Sequence, residues 1–170
     1  MEDHPARRSR LLEFAVASTC IGIASLFLLN ELSQLQEEAE RLTVESTVRN
    51  MNSGLFMRQA KLMVSGRERE LPALVLENPV EWLESPPGGY DPATGCGDAG
   101  PAEAGHWCWD ASARRLHYRP LRAGGLKVDG DVPILTWRVH ASGDPSVVRP
   151  GSLRVVADRG YTWQSQRGGG

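Results

Sequence analysis

The chain has 170 residues and a formal net charge of −2 at pH 7. This length suits one domain with an attached anchor and is short for two independent cores. The near-neutral charge argues against a nucleic-acid-binding protein, which usually carries a strongly basic surface. The 18 glycines and 11 prolines lie mostly after Pro79, which indicates a loop-rich second half.

An apolar run from Leu11 to Leu29 follows a basic leader over residues 1–10. The run has about 19 residues and would be about 28 Å long as an α-helix, close to the ~30 Å hydrocarbon core of a bilayer. We therefore predict a transmembrane helix over 11–29. Arginines precede it and glutamates follow it, so the positive-inside rule places the leader in the cytoplasm and the remainder outside.

Glu13 is the only charged residue within this run. An ionised carboxylate costs roughly 2.5–3.5 kcal/mol at the centre of a spanning helix, and less near its end. Two interpretations stay open. Glu13 pairs with a positive charge on a neighbouring copy during assembly, or it is satisfied locally by Arg10 or by the membrane interface.

Two processing signals compete with an uncleaved anchor. Residues 15–17 (Ala-Val-Ala) resemble a signal-peptidase site, and the residues ending in Cys20 resemble a lipoprotein box. The apolar run is too short before the first signal and continues past the second. We therefore favour an uncleaved anchor in which Cys20 is a small apolar residue.

Cys96 and Cys108 both fall in the part placed outside the cytoplasm, where disulfides persist. We predict a disulfide between them, worth about 3 kcal/mol on the chain-entropy model. The alternative is two free thiols.

The helical pattern continues after the span without a proline, so we predict one helix from about Ser9 to Ser65, closed by Gly66. Over residues 30–66 it is amphipathic, with i,i+4 pairs Glu37/Arg41 and Glu45/Arg49. Its first part, Leu32 to Leu42, would rise above the head and pack against sister subunits. The predicted apolar stripe consists of Leu35, Ala39, Leu42, Val44, Val48, Met51, Leu55 and Leu62.

Residues 67–106 are rich in turn signals and are predicted to be irregular. A short helix over Pro79–Glu84 is expected within them, with Asn78 as its N-cap.

Short β-type runs follow at 107–110, 115–121, 134–141, 153–158 and 161–164. They predict a small antiparallel meander as the head, over 107–166, with a disordered tail at 167–170. Leu135, Trp137 and Val139 would share one face. Since so small a sheet needs a cover, we predict an α+β fold in which the long N-terminal helix packs on the sheet.

No catalytic motif is present in the sequence, so we expect no enzyme activity and no cofactor. The four histidines have no metal-ligand spacing, and His117 and His140 are predicted to face solvent. Asp91, Asp98 and Asp110 would suit a calcium ion in chemistry but not in spacing, so we interpret them as turn residues. Trp107, Trp109 and Trp137 are expected in the core, and Trp82 and Trp163 are candidates for contact residues.

The segment Arg8-Ser9-Arg10-Leu11-Leu12-Glu13, with the long helix behind it and the small sheet, resembles the start of type IV pilins and of type II secretion pseudopilins. Leu11 and Glu13 match the family's motif and Leu12 is a close substitute. Arg8 stands where the family has the glycine its peptidase requires, and Ser9 replaces the usual aromatic residue.

This resemblance implies a minor subunit, processed between Arg8 and Ser9 or left unprocessed, of a type IV pilus or type II secretion apparatus. Its partners would be the membrane and other pilin-like subunits or machinery components. It would reside in the bacterial inner membrane with a periplasmic head. The alternative is a single-pass periplasmic binding or accessory protein that does not polymerise.

Overall fold

The computed structural model describes residues 4–97, 100–130, 132–143 and 151–164, with side chains from Glu13 onward. Within these ranges, helix α1 (His4–Val64) is followed by two 3₁₀ helices, Glu68–Leu76 and Pro79–Trp82, and then by the strands. The strands are β1 (His106–Asp110), β2 (Arg115–Arg119), β3 (Leu126–Val128), β4 (Leu135–Ala141), β5 (Leu153–Ala157) and β6 (Tyr161–Trp163). The α+β fold with one long N-terminal helix is confirmed.

Helix α1 is continuous through the predicted membrane and water halves, over 61 residues. It ends where the sequence places its end. Gly66 adopts φ 68°, which L-residues with a side chain rarely adopt. The amide of Arg67 donates to the carbonyl of Leu62 at 2.8 Å, and that of Gly66 donates to Met63 at 3.1 Å. These two bonds form a Schellman motif, which stops the helix and satisfies its last carbonyls.

The buried face of α1 starts later than predicted. Val44, Met51 and Leu55 are almost completely buried, whereas Leu35 and Leu42 are 66% and 47% exposed. The prediction of one stripe joining all of them is therefore wrong. At about 100° per residue, Leu42 and Val44 project about 200° apart, so they cannot share one face.

The main sheet has the strand order β1-β2-β4-β5, with antiparallel neighbours throughout. Leu135, Trp137 and Val139 of β4 are buried, while Arg138 and His140 point to solvent, which confirms the predicted alternation. β2 ends at Arg119 and not at Leu121, because Pro120 has no amide to donate to a ladder.

A second, two-stranded sheet is formed by β3 and β6, with Leu126 opposite Trp163. The prediction of a single meander ending in 161–164 is wrong on this point, and β3 was not predicted. Trp163 is only 7% exposed and belongs to the core, so its interpretation as a contact residue is also wrong.

The region 67–106 contains more structure than predicted. The first 3₁₀ helix buries Leu71 and Leu74 in the core. Asn78 is confirmed as an N-cap, since its side chain accepts from the amide of Val80 at 3.1 Å. The helix that it starts is a 3₁₀ helix that ends at Trp82.

Two methionines of α1 provide a matched test of this packing. Met51 is fully buried and Met57 is 67% exposed. Met51→Ala should lower the free energy of unfolding by about 2–5 kcal/mol because it leaves a core cavity. Met57→Ala should change it by less than about 0.5 kcal/mol. Urea unfolding in detergent micelles, followed by tryptophan fluorescence, measures both; equal losses would contradict the packing described.

Candidate functional site

The N-terminal half of α1 is uncovered by the described part of the head. The residues from Glu13 to Ser33 are all exposed, and the large apolar ones, such as Phe14 and Leu28, are 74% and 72% exposed. By length and composition, α1 is the one helix among the described residues that is able to cross a membrane. A water-exposed apolar surface of this extent is typical of a membrane or protein contact.

The predicted assembly residues lie in this uncovered half. Glu13 is on α1 and its side chain is exposed. Arg8, Ser9 and Arg10 belong to the same helix, and their side chains lie outside the described part of the chain. Pairing of Glu13 with Arg10 and processing after Arg8 therefore stay predictions.

Glu40 joins the helix to the head where the uncovered half ends. Its carboxylate accepts hydrogen bonds from the Tyr118 hydroxyl at 2.7 Å, from the Leu121 amide at 2.6 Å and from the Arg122 amide at 3.0 Å. Hydrogen bonds to a charged acceptor are about twice as strong as neutral ones. One glutamate thus fixes both the end of β2 and the turn that follows it.

Glu37 makes a second attachment one helical turn earlier. Its Oε1 accepts from the Gly125 amide at 2.6 Å and from the Trp163 indole at 3.1 Å. A side chain at position 125 would collide with the Gln164 carbonyl, so only glycine allows this close approach. The side chain of Arg122 donates to Gln36 at the same level.

The side-chain amide groups of two α1 residues, Asn52 and Gln59, attach the helix to the β5 end of the sheet. The Asn52 side chain accepts from the Val155 amide at 2.9 Å and donates to the Val155 carbonyl at 3.2 Å. Gln59 accepts from the Gly151 amide at 3.0 Å. Because β5 is last in the sheet order, the two Asn52 bonds satisfy backbone groups that an edge strand leaves unpaired, while Gln59 holds the loop before β5.

The sequence did not predict these attachments of α1 to the head. We call the four α1 residues that make them the α1 clamp: Glu37, Glu40, Asn52 and Gln59. The sequence pattern assigned Glu37 to a surface pair with Arg41, whereas Arg41 pairs with Glu38 and Glu45. One signal was available in the sequence. Glu37, Glu40 and Val44 follow one another at spacings of three and four, so they continue the buried face.

The Cys96–Cys108 disulfide is present, with a Cα–Cα distance of 5.3 Å, as predicted. It ties the loop before β1 to β1 itself. Cys20 is a free, exposed thiol on the uncovered half of α1.

The aspartates near the disulfide make turn bonds. Hydrogen bonds from the Ala93 amide and the Thr94 hydroxyl lower the pKa of Asp91. Bonds from the Ser112 hydroxyl and the Ala113 amide lower the pKa of Asp110. Asp98 lies outside the described residues. Among those described, no three histidine, cysteine or carboxylate side chains are grouped as metal ligands.

The remaining polar and aromatic candidates are structural. His140 is exposed, but His117 is partly buried beside Thr136, and this burial lowers its pKa; the prediction that it faces solvent freely is wrong. Trp107 lies in the core with Trp137, and Trp109 packs against it. Trp82 is partly buried and its indole donates to Glu77.

No protein-family model, curated protein or solved structure matches this chain.

Removing the Glu40 carboxylate should weaken the attachment of the head. Glu40→Ala leaves the Leu121 and Arg122 amides and the Tyr118 hydroxyl without their acceptor, which we expect to cost about 1.5–3 kcal/mol in the free energy of unfolding. Glu31→Ala, on the exposed side of the same helix, should cost less than about 0.5 kcal/mol. Urea titrations compare the two variants, and equal losses would exclude a specific role for Glu40.

The environment of Tyr118 leads us to expect that the free energy of unfolding falls at alkaline pH. Burial, with help from the Glu40 hydrogen bond, raises its pKa above the usual value. Because the raised pKa belongs to the folded state, its contribution is complete below about pH 10 and is lost as pH rises above the unfolded pKa. Stability should therefore fall as pH rises above about 10, and Tyr118→Phe should reduce that slope. Denaturant titrations across this range measure it, and an unchanged slope would contradict the assignment.

Proposed function

We propose that this protein is a pilin-like, non-enzymatic membrane subunit that assembles through the uncovered half of helix α1. Residues 11–29 would span the inner membrane, and the head would lie in the periplasm. The observation that carries the proposal is the division of one unbroken helix into an exposed apolar half and a half packed on an antiparallel sheet. Such a helix presents a membrane anchor and a protein-contact surface without a hinge between them.

The head and the disulfide support this placement. A Cys96–Cys108 bond persists in an oxidising compartment such as the periplasm. The Leu11-Leu12-Glu13 sequence adds the resemblance to pilins and pseudopilins. In that family the acid of the span pairs with a positive charge of a neighbouring subunit, and a carboxylate in lipid gains most from a cationic partner.

In the proposed mechanism, neighbouring spans pack side by side in the membrane and Glu13 neutralises a cation on the next copy. The heads are carried on the outside by the rigid water-exposed half of α1. The α1 clamp keeps each head at one rotation about its helix, so that every copy presents the same outer surface.

Arg8 supports a second candidate function. It occupies the position where the resembling family has the glycine before its cleavage site. An uncleaved chain has no new amine for Glu13 to pair with, which favours a single-pass accessory protein that does not polymerise. The intact mass of the protein isolated from its native host distinguishes a chain cut after Arg8 from an uncut one.

Assembly is tested by photo-crosslinking in native-host membranes with the crosslinker placed at Ile23, which is 61% exposed. We expect a ladder of products that extends beyond two copies. Glu13→Gln should shorten the ladder at least several-fold because it removes the charge and keeps the shape. Glu31→Gln, an exposed glutamate on the same helix, is the matched control and should leave it intact.

Absence of any ladder in the unaltered protein would favour the accessory protein. A ladder that survives Glu13→Gln would overturn the charge-pairing step, and assembly would then depend on the apolar surface alone.

A further inference from the structure

A second apolar surface runs along α1 on the side away from the head. Its members are all uncovered by the head: Leu28 is 72%, Leu32 50%, Leu35 66% and Leu42 47% exposed, and Ala39 lies between the last two. We call these five residues the outer stripe. The head-facing residues Val44, Met51 and Leu55 project to the opposite side of the helix, so the described head leaves the outer stripe uncovered.

The spacing within the outer stripe is four, three, four and three. This is the heptad pattern of coiled coils, in which the a and d positions alternate along one seam. Leu28, Leu35 and Leu42 take the d positions, where leucine also occurs in two-stranded parallel coils. Leu32 and Ala39 take the a positions.

The same pattern continues into the predicted span. Phe14 and Ile21 extend the d positions, and Ser18 and Ser25 extend the a positions. Small residues such as serine let two helices approach closely in a bilayer, and their hydroxyls bond across the interface. The seam therefore crosses from lipid into water without changing its period.

We propose that two copies of this chain pair in parallel and in register through the outer stripe and its extension to Phe14. The inference rests on the membrane-anchored orientation proposed above. Two copies inserted the same way, at the same depth, bring identical layers to the same height. A second copy thus meets the stripe with a surface of the same length and period.

The charges beside the stripe favour this parallel arrangement. The g positions are acidic, and in a parallel pair they face e positions of the partner that are neutral. In an antiparallel pair the acidic flanks would face each other. The g positions are Glu31, Glu38 and Glu45. The e positions opposite them are Gln36, to which the Arg122 guanidinium of the same chain donates, Thr43 and Asn50.

Arg41 further reduces the charge of this flank. Its guanidinium pairs with Glu38 on one side and with Glu45, at 3.3 Å, on the other. The acidic residues next to the seam are thus partly neutralised within each chain, which lowers the repulsion between copies.

The described part of each head leaves the outer stripe exposed. It packs on the side of its own helix that carries Val44, Met51 and Leu55, and its Trp163 and Gln164 border the acidic flank beside Leu35. In a parallel pair the described parts of the two heads therefore lie outside the seam. The seam ends beyond Leu42, because the next positions on that side are Ser46, Arg49 and Ser53. This confines the pair to the span and to the first part of the water-exposed helix.

Cysteine crosslinking of the full-length chain in native-host membranes tests the pair. In a Cys20→Ser background, Leu35→Cys places a thiol at a d position, and Ser33→Cys places one at nearly the same height on the other side of the helix. Mild oxidation should give at least ten-fold more disulfide-linked dimer with Leu35→Cys than with Ser33→Cys. Equal yields would overturn the pairing.

Direction is tested with Leu28→Cys and Leu42→Cys. Each variant should form a disulfide-linked dimer with a second copy of the same variant. When the two variants are co-expressed, the mixed dimer of Leu28→Cys with Leu42→Cys should not exceed the dimers between identical variants. A predominant mixed product would overturn the parallel arrangement, and capture of a different polypeptide by Leu35→Cys in place of a second copy would overturn self-pairing.

These outcomes are separable from the proposed assembly, because Ile23 lies outside the seam. A persistent Ile23 ladder without Leu35 crosslinks leaves assembly standing and removes the pair. Leu35 crosslinks without a ladder leave the pair and remove polymerisation. Leu35→Glu with Leu42→Cys as reporter adds a charge at the seam and should abolish the Leu42 crosslink. Met57→Glu, at an exposed position of the same helix beyond the seam, should not.

Discussion

Hydrogen bonds between head backbone amides and side chains of helix α1 fix how the head is rotated about that helix. Glu40 and Glu37 hold the turns after β2 and before β3, and Asn52 and Gln59 hold the β5 end of the sheet. The apolar core alone would allow small rotations, since dispersion contacts have little directionality. The directional bonds select one rotation, and that selection decides which surface of α1 is left for other molecules.

The continuity of α1 extends this local constraint over the whole chain. A helix whose interior lacks proline beyond its first turn transmits the orientation of the head to the predicted span, because no proline interrupts its hydrogen-bond ladder. The two halves differ in composition and in surroundings. The C-terminal half packs one face on the head, whereas residues 14–29 carry no charged side chain and are exposed on all sides, as a candidate membrane span would be. The α1 clamp, the outer stripe and Glu13 therefore belong to one continuous helix. In the proposed function that helix would contact its own head, other copies and the membrane.

Features that depend on near neighbours in the sequence were predictable, and features that depend on distant pairing were not. The position of Gly66, the alternation around Trp137, the cap at Asn78 and the Cys96–Cys108 pair were predictable, because each depends on neighbours within a few residues or on a simple chemical preference. The assignment of Trp163 failed for the opposite reason. Its burial depends on β3, a strand of three residues that only becomes recognisable when it pairs with β6.

The sequence by itself predicted an apolar run long enough to span a membrane, a long continuous helix, a Cys96–Cys108 disulfide and a small antiparallel head. These follow from periodicity, capping and composition, which are local properties. Only the tertiary structure decided that Leu35 and Leu42 face away from the head while Glu37 and Glu40 face towards it. The positions of glutamates along a helix do not show whether each carboxylate will bond to water, to a lysine or to a distant backbone amide. Only the packed fold brings such an amide within hydrogen-bond distance.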